Sequence, residues 1–185
     1  METKIERKKF GIADFKEEEK WLLEQHKSGW KLVKTNGIKY YFEKCNAEEW
    51  IYQLDFNENT EKDESYIQMF LDYGWEYVFH YGKWFYFRKK REGWDTANTI
   101  FSDNASKIEM YKRIIYHLFE LSIPLFLFSC MILYLFAFTT IFHGDDFLDK
   151  AIPWAGITMM VATSFSFGQF LKLFKMVFDL RNPIQ

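Results

Sequence analysis

Cysteine and proline are scarce, with two of the one and three of the other in 185 residues. A disulfide-stapled scaffold is thereby excluded, and Cys45 is expected to be a free thiol in a reducing compartment. Neither sign of charge is in excess: the formal net charge is -2 and the basic residues are scattered rather than gathered into a stripe. That removes the electrostatic footprint of a nucleic-acid binder, so no direct nucleic-acid binding is expected. The chain lacks a glycine-rich phosphate loop, zinc-ligand spacing around its cysteines and a GxSxG elbow. No catalytic residue, metal or cofactor is therefore expected, and the protein reads as non-enzymatic. His26, His80, His117 and His143 lie in unrelated segments, where surface or edge positions account for them better than a shared site. The opening stretch METKIERKKFGIADFKEEEK has no apolar leader, so the N-terminal region is expected to stay in the cytoplasm.

Long apolar runs are present, and there are two of them. Leu121 to Phe142 gives 22 residues without a formal charge, and Ala151 to Leu171 gives another 21. At about 1.5 Å per residue each is long enough to cross a hydrocarbon core of roughly 30 Å. The intervening HGDDFLDK holds Asp145, Asp146 and Asp149 against Lys150 alone, while Lys107, Lys112 and Arg113 precede the first run and Lys172, Lys175 and Arg181 accompany the end of the second. The bias predicts a two-pass protein of the cell membrane with both termini cytoplasmic, residues 143–150 external and Cys130 within the bilayer. The expected organisation is a cytoplasmic domain at 1–95, a linker and amphipathic juxtamembrane helix at 96–120, spans at 121–142 and 151–171, and a cytoplasmic tail at 172–185. The juxtamembrane helix follows from helix-start residues Asp103, Asn104 and Ser106 ahead of Ile108, Tyr111, Ile115 and Leu118 at helical spacing.

The cytoplasmic part repeats itself. GWKLVKTNGIKYYFEK begins at Gly29, and GWEYVFHYGKWFYFRK begins forty-five positions later at Gly74, with glycine, tryptophan, valine, tyrosine, phenylalanine and lysine recurring in step. Each copy reads as strand, helix, strand, strand, so the fold class is α+β, a tandem βαββ repeat packed about a pseudo-twofold axis. In the first copy KFGIADF is strand-like, Asp14 and Glu17 mark a helix start, and Gly29 ends the helix as a left-handed cap. Asn36-Gly37 predicts a type I′ hairpin turn, with Tyr81-Gly82 as its counterpart, and Gly29 and Gly82 are expected at positive φ.

Two-residue turns at those places would put Phe79 opposite Trp84, Tyr77 opposite Tyr86 and Trp75 opposite Arg88, all on one side of the sheet, with Val78, Phe85 and Phe87 on the other. They would also put Lys34 opposite Lys39. The candidate ligand or partner surface is accordingly Trp75, Tyr77, Phe79, Trp84, Tyr86 and Arg88, with Glu43 or Arg88 supplying charge. Two readings stay open. Either this face is an open binding surface, so that Trp84→Ala abolishes association without unfolding, or it is buried against the other repeat, a second copy or the juxtamembrane helix.

The tandem arrangement resembles the SHS2 modules paired in GyrI-like and SOUL domains, some of which bind hydrophobic or cationic small molecules between their repeats. The segments FLDYGWEYVFHYGKWFYFRK and TIFSDNASKIEMYKRI, ahead of two spans, resemble a bacterial domain-of-unknown-function family of membrane-tethered proteins often encoded beside PadR-like transcriptional regulators. The resemblance implies a membrane-tethered accessory or regulatory protein and brings no catalytic residues. The expected function is a membrane-anchored sensor or adaptor in a regulatory or stress-response circuit, binding a hydrophobic ligand or a partner protein. The alternative is a small accessory subunit or modulator of a membrane transporter. Expected partners are the lipid bilayer, a PadR-like regulator or a transporter, and a second copy in a homo-oligomer.

Overall fold

The computed structural model describes residues 2–58, 64–91, 104–142 and 147–182. The end of the domain expected at 1–95, the linker part of the 96–120 segment and residues 143–146 of the loop expected at 143–150 lie outside these residues, while residues 147–150 of that loop belong to the last helix. Two βαββ units follow one another: β1 (Thr3–Arg7), α1 (Phe15–Lys27), β2 (Trp30–Thr35), β3 (Lys39–Lys44), then β4 (Trp50–Phe56), α2 (Glu64–Asp72), β5 (Glu76–Tyr81) and β6 (Trp84–Lys90). Each unit makes an antiparallel three-stranded sheet, ordered β1-β3-β2 and β4-β6-β5. Two long helices follow, α3 (Asn104–Phe142) and α4 (Phe147–Arg181). The fold is α+β, as the sequence predicts.

Local chemistry sets the element ends, and in three places it differs from the sequence reading. The first strand is TKIER rather than KFGIADF, because Gly11 donates its amide to the Asp14 carboxylate at 2.8 Å and closes a turn just before α1. α1 does end at a left-handed glycine: Gly29 has φ +84° and its amide returns to the His26 carbonyl at 2.9 Å. Gly82 also has positive φ, +58°. The first hairpin turns one residue later than expected, since Asn36 bonds back to the Lys39 carbonyl at 3.2 Å and its side chain accepts the Ile38 and Lys39 amides. In the second, Tyr81 pairs with Trp84 across the turn.

Each hairpin then carries a bulge, between Leu32 and Lys34 and between Tyr77 and Phe79. A bulge adds one residue to one strand and shifts every pair beyond it. Lys34 therefore lies opposite Tyr41, its ammonium 5.2 Å from the ring centre, and not opposite Lys39. Phe79 lies opposite Tyr86, and Tyr77 opposite Phe87.

The two repeats are stacked rather than related by a twofold. α1 packs on β2 through its own sheet and on β4 through the next one. Its Trp21 meets Tyr40 and Phe42 of β3, while its Phe15 meets Trp84 of β6. α2 covers the opposite face of the second sheet, where Phe70, Trp75, Phe85 and Phe87 form a buried cluster with Tyr66, Ile67 and Tyr77 against it. α1 thus lies between the two sheets, whose edge strands β2 and β5 also meet, and α2 covers the far face of the second sheet. A twofold would bury the same face of both sheets, whereas here α1 meets the α-covered face of one and the α-free face of the other.

The chain divides into two compact units, Met1–Arg113 and Ile114–Gln185, so the first ten residues of α3 belong to the folded N-terminal unit. In the second unit α3 and α4 are both long and apolar enough to cross a membrane, and only 6% of the most apolar window of each is buried. The core helix of a soluble protein would be mostly covered. Gly156 lets the two helices approach, since a Cβ there would lie 2.6 Å from the Leu133 side chain.

Candidate functional site

α1 opens with acidic residues, FKEEEK, which reads in sequence as a solvated face. The stacking of the repeats forces part of it inward. Glu18 and Glu19 are 7% and 8% exposed, and both are held. Glu18 accepts the Tyr40 hydroxyl at 2.8 Å and the Tyr86 hydroxyl at 2.7 Å, one tyrosine from each sheet. Glu19 accepts the Leu54 amide of β4 at 2.8 Å and pairs with Lys16 at 2.9 Å. These bonds satisfy groups that would otherwise be costly to bury.

The far end of α1 carries a second polar contact. His26 is buried, its Nδ1 lies 2.9 Å from the Tyr52 hydroxyl and its ring stacks on Trp50. The Tyr52 hydroxyl also accepts the Leu32 amide at 3.2 Å, and which of His26 and Tyr52 donates to the other is set by the imidazole tautomer. Burial, with the Arg88 cation as a second cause, lowers His26 to about 4. Arg88 itself bonds Glu76 at 2.8 Å and lies over Trp50.

A third cluster ties α3 to the domain. Asp55 of β4 is 2% exposed; it accepts the Tyr66 hydroxyl of α2 and bonds Arg113 of α3, Nη2 to Oδ1, at 3.3 Å. Arg113 Nε is itself buried without a hydrogen-bond partner. Next to it Tyr111, 5% exposed, packs its ring on Phe15. Three elements of the N-terminal unit thus converge on the first turns of α3.

The aromatic surface expected from sequence is not assembled as one face. Trp75 and Tyr77 lie in the cluster under α2, while Trp84, Tyr86 and Phe79 lie on the other side of the sheet toward α1. The bulge at Val78 is the physical reason, because it reverses the side of every β5 residue before it. Trp84 packs on Phe15 and Phe56, and Tyr86 is 3% exposed. Arg88 sits beside Trp50, and Glu43 lies on the outer face of the first sheet, paired with Lys31 at 3.5 Å. Tyr86 is buried against the other repeat, and Trp84 is half-buried there. Sequence reasoning missed Glu18, Glu19 and Asp55 as interior groups and Arg113 as the partner of Asp55, and it took His26 for a surface histidine although it is buried between α1 and β4. Asp55, flanked by Leu54 and Phe56 in an otherwise apolar strand, was the one with a visible signal. Among the described residues, no group of three or more His, Cys, Asp or Glu is placed to hold a metal ion.

Burial pushes Glu18 above the usual carboxyl range, against the pull of its two tyrosine hydroxyls. Glu19 and Asp55 are raised by burial as well. A raised carboxyl binds its proton more tightly in the folded chain, so its contribution is complete below the ordinary carboxyl pKa and is lost as pH rises through the folded value. His26 runs the other way, with a contribution present above its ordinary pKa and lost as pH falls toward about 4. Comparing Glu18→Gln with the parent cancels the histidine. The stability gap in favour of the glutamine variant should widen as pH rises above the ordinary carboxyl range, measured by urea unfolding at each pH. A gap that stays flat means Glu18 does not titrate in that window.

The profile of a family described as "Protein of unknown function (DUF2812)" matches residues 14–123. That stretch begins at α1 and ends inside α3. No curated protein matches the chain, and no solved structure does.

Proposed function

Since the chain belongs to the DUF2812 family, whose description assigns no activity, its role has to be read from its own architecture, and we propose that it is a non-enzymatic, membrane-anchored adaptor or sensor in a regulatory circuit. The observation that carries this reading is the join between domain and span. Asp55, Tyr66 and Phe15, from β4, α2 and α1, hold Arg113 and Tyr111 at the start of a helix that continues to Phe142. A domain that was merely tethered would need only a flexible linker. Here a change in the packing of α1 or α2 acts on the first turns of α3 through a half-buried ion pair and an aromatic contact.

The partner surface is assigned to exposed parts of the domain, because Trp84 and Tyr86 are engaged inside it. A partner protein, such as a PadR-like regulator, fits this better than a hydrophobic ligand between the repeats. The transporter-subunit reading draws on a different feature, a cavity of about 580 Å³ between α3 and α4 lined by Leu118, Phe119, Phe126, Ser166 and Phe170 among others. A partner helix would fill it.

The orientation follows from charge. Cysteine introduced at Gly144 should react with an impermeant thiol reagent in intact cells, and labelling of the N-terminal domain under the same conditions would reverse the topology. The coupling itself is tested by complementation of a deletion strain, with its transcript profile as the readout. The full chain should restore the profile, and residues 1–113 expressed together with 114–185 as separate chains should not. Rescue by the separated halves removes the adaptor reading.

A further inference from the structure

The stack of layers is open at both ends. Its first sheet has α1 on one face only, and the outer face is bare: Ile5 is 60% exposed, Arg7 and Lys34 are exposed, and Lys39 and Tyr41 are half-buried. At the other end α2 shields the second sheet with one side and presents Glu64, Met69, Leu71 and Asp72 to solvent with the other, Leu71 being 43% exposed. We propose that α2 of one chain docks on the outer face of the β1-β3-β2 sheet of a second chain, head to tail.

The protein already contains this interface once. Inside each chain, α1 of the first repeat lies on the α-free face of the second sheet, where Leu54 is opposite Tyr86 and Phe56 opposite Trp84. In the first sheet Ile5 is opposite Tyr41 and Arg7 opposite Lys39, in the same register and on the equivalent face. The helix matches too. With the repeats aligned at Gly29 and Gly74, Glu64 corresponds to Glu19 and Leu71 to His26, the residues through which α1 reaches Leu54 and Tyr52. A second chain's α2 on this sheet continues the internal stacking by one layer.

Charge tells this occupant from another. The outer face carries Arg7, Lys34 and Lys39, while its one carboxylate, Glu43, is taken by Lys31. α2 carries Glu64 and Asp72 and no basic residue. In the internal copy, the positions of Lys39 and Arg7 hold Trp84 and Phe56, so the same geometry is apolar within the chain and electrostatically complementary between chains. Such contacts set partner and register and are weakened by salt. The contact is heterologous, using two different patches, so it builds rings or open rows rather than closed twofold dimers.

The test uses the full chain in detergent with Cys45 and Cys130 changed to serine. One tagged chain carries Lys39→Cys and a differently tagged chain carries Leu71→Cys. Oxidation of the mixture should give a product with both tags, and neither variant alone should cross-link to itself. A mixture without that product, or self-linked Lys39→Cys chains as the main species, overturns the proposal. With the thiols moved to Ile5→Cys and Leu71→Cys, Lys34→Glu with Lys39→Glu should remove the product and added Glu64→Lys with Asp72→Lys should restore it. A product indifferent to both changes counts against the charge pairing and the register.

Discussion

Truncating Tyr86 to alanine should unfold the N-terminal unit at denaturant concentrations that leave the parent chain native. The ring is 3% exposed, stacks on Phe79 at a centroid distance of 4.4 Å, and donates its hydroxyl to Glu18 at 2.7 Å. Removing a buried aromatic ring of this kind costs about 3–5 kcal/mol. Stripping Glu18 of one of its two hydroxyl donors adds on the order of 1–3 kcal/mol, because a raised, buried carboxyl is left short of a partner. Together these approach the roughly 5–15 kcal/mol that holds an ordinary domain folded. Tyr86→Phe keeps the ring and loses only the bond, so it should fall well short of the alanine effect. Lys39→Ala, on the outer face of the other sheet, should stay within about 0.5 kcal/mol of the parent. Urea unfolding followed by tryptophan fluorescence distinguishes the three. A Tyr86→Ala chain with the parent's midpoint would return the aromatic face to the surface.

This expectation reverses what strand alternation alone suggests for the same hairpin, and the reason is local. Gly29, Gly82 and the repeated hairpins are legible because backbone conformation at those points is dictated by residue type. The spans are legible because length and apolarity suffice. A one-residue bulge leaves no such mark: nothing in EYVFHY distinguishes a regular strand from one that slips at Val78, yet the slip moves Trp75 and Tyr77 to the opposite face from Phe79. The stacking of repeats is equally silent, since FKEEEK looks the same whether one sheet or two cover α1. Only the second sheet turns Glu18 and Glu19 into interior residues. Asp55 and Arg113 are far apart in sequence, and their pairing depends on where α3 begins relative to β4.

That pairing has the second large expected effect. Asp55→Ala leaves the Arg113 guanidinium, whose Nε already lacks a partner, without its carboxylate, and removes the bond that the Tyr66 hydroxyl donates to Asp55. Removing one partner of a fully buried pair costs about 3–5 kcal/mol, and the cost here is below that because Arg113 is exposed enough to be hydrated when left alone. Arg113 is more exposed than Asp55, with side chains at 39% and 3%, so the loss of the charge pairing should be larger when the arginine is the residue removed and the buried carboxylate is the charge left behind. The loosened element in either case is the start of α3, where Tyr111 meets Phe15. Replacement of both residues by isosteric neutral ones restores a balance that the single variants lack.

The most direct measurement is therefore a double-mutant cycle on the full chain with Asp55→Asn, Arg113→Gln and the pair, using the unfolding free energy of the N-terminal unit. If that unit grips the start of the first membrane-length helix through this contact, the double variant should be more stable than the sum of the singles requires, by about 1 kcal/mol or more. Strict additivity would mean that Asp55 and Arg113 do not interact, and that α3 leaves the domain as a tether rather than as part of it.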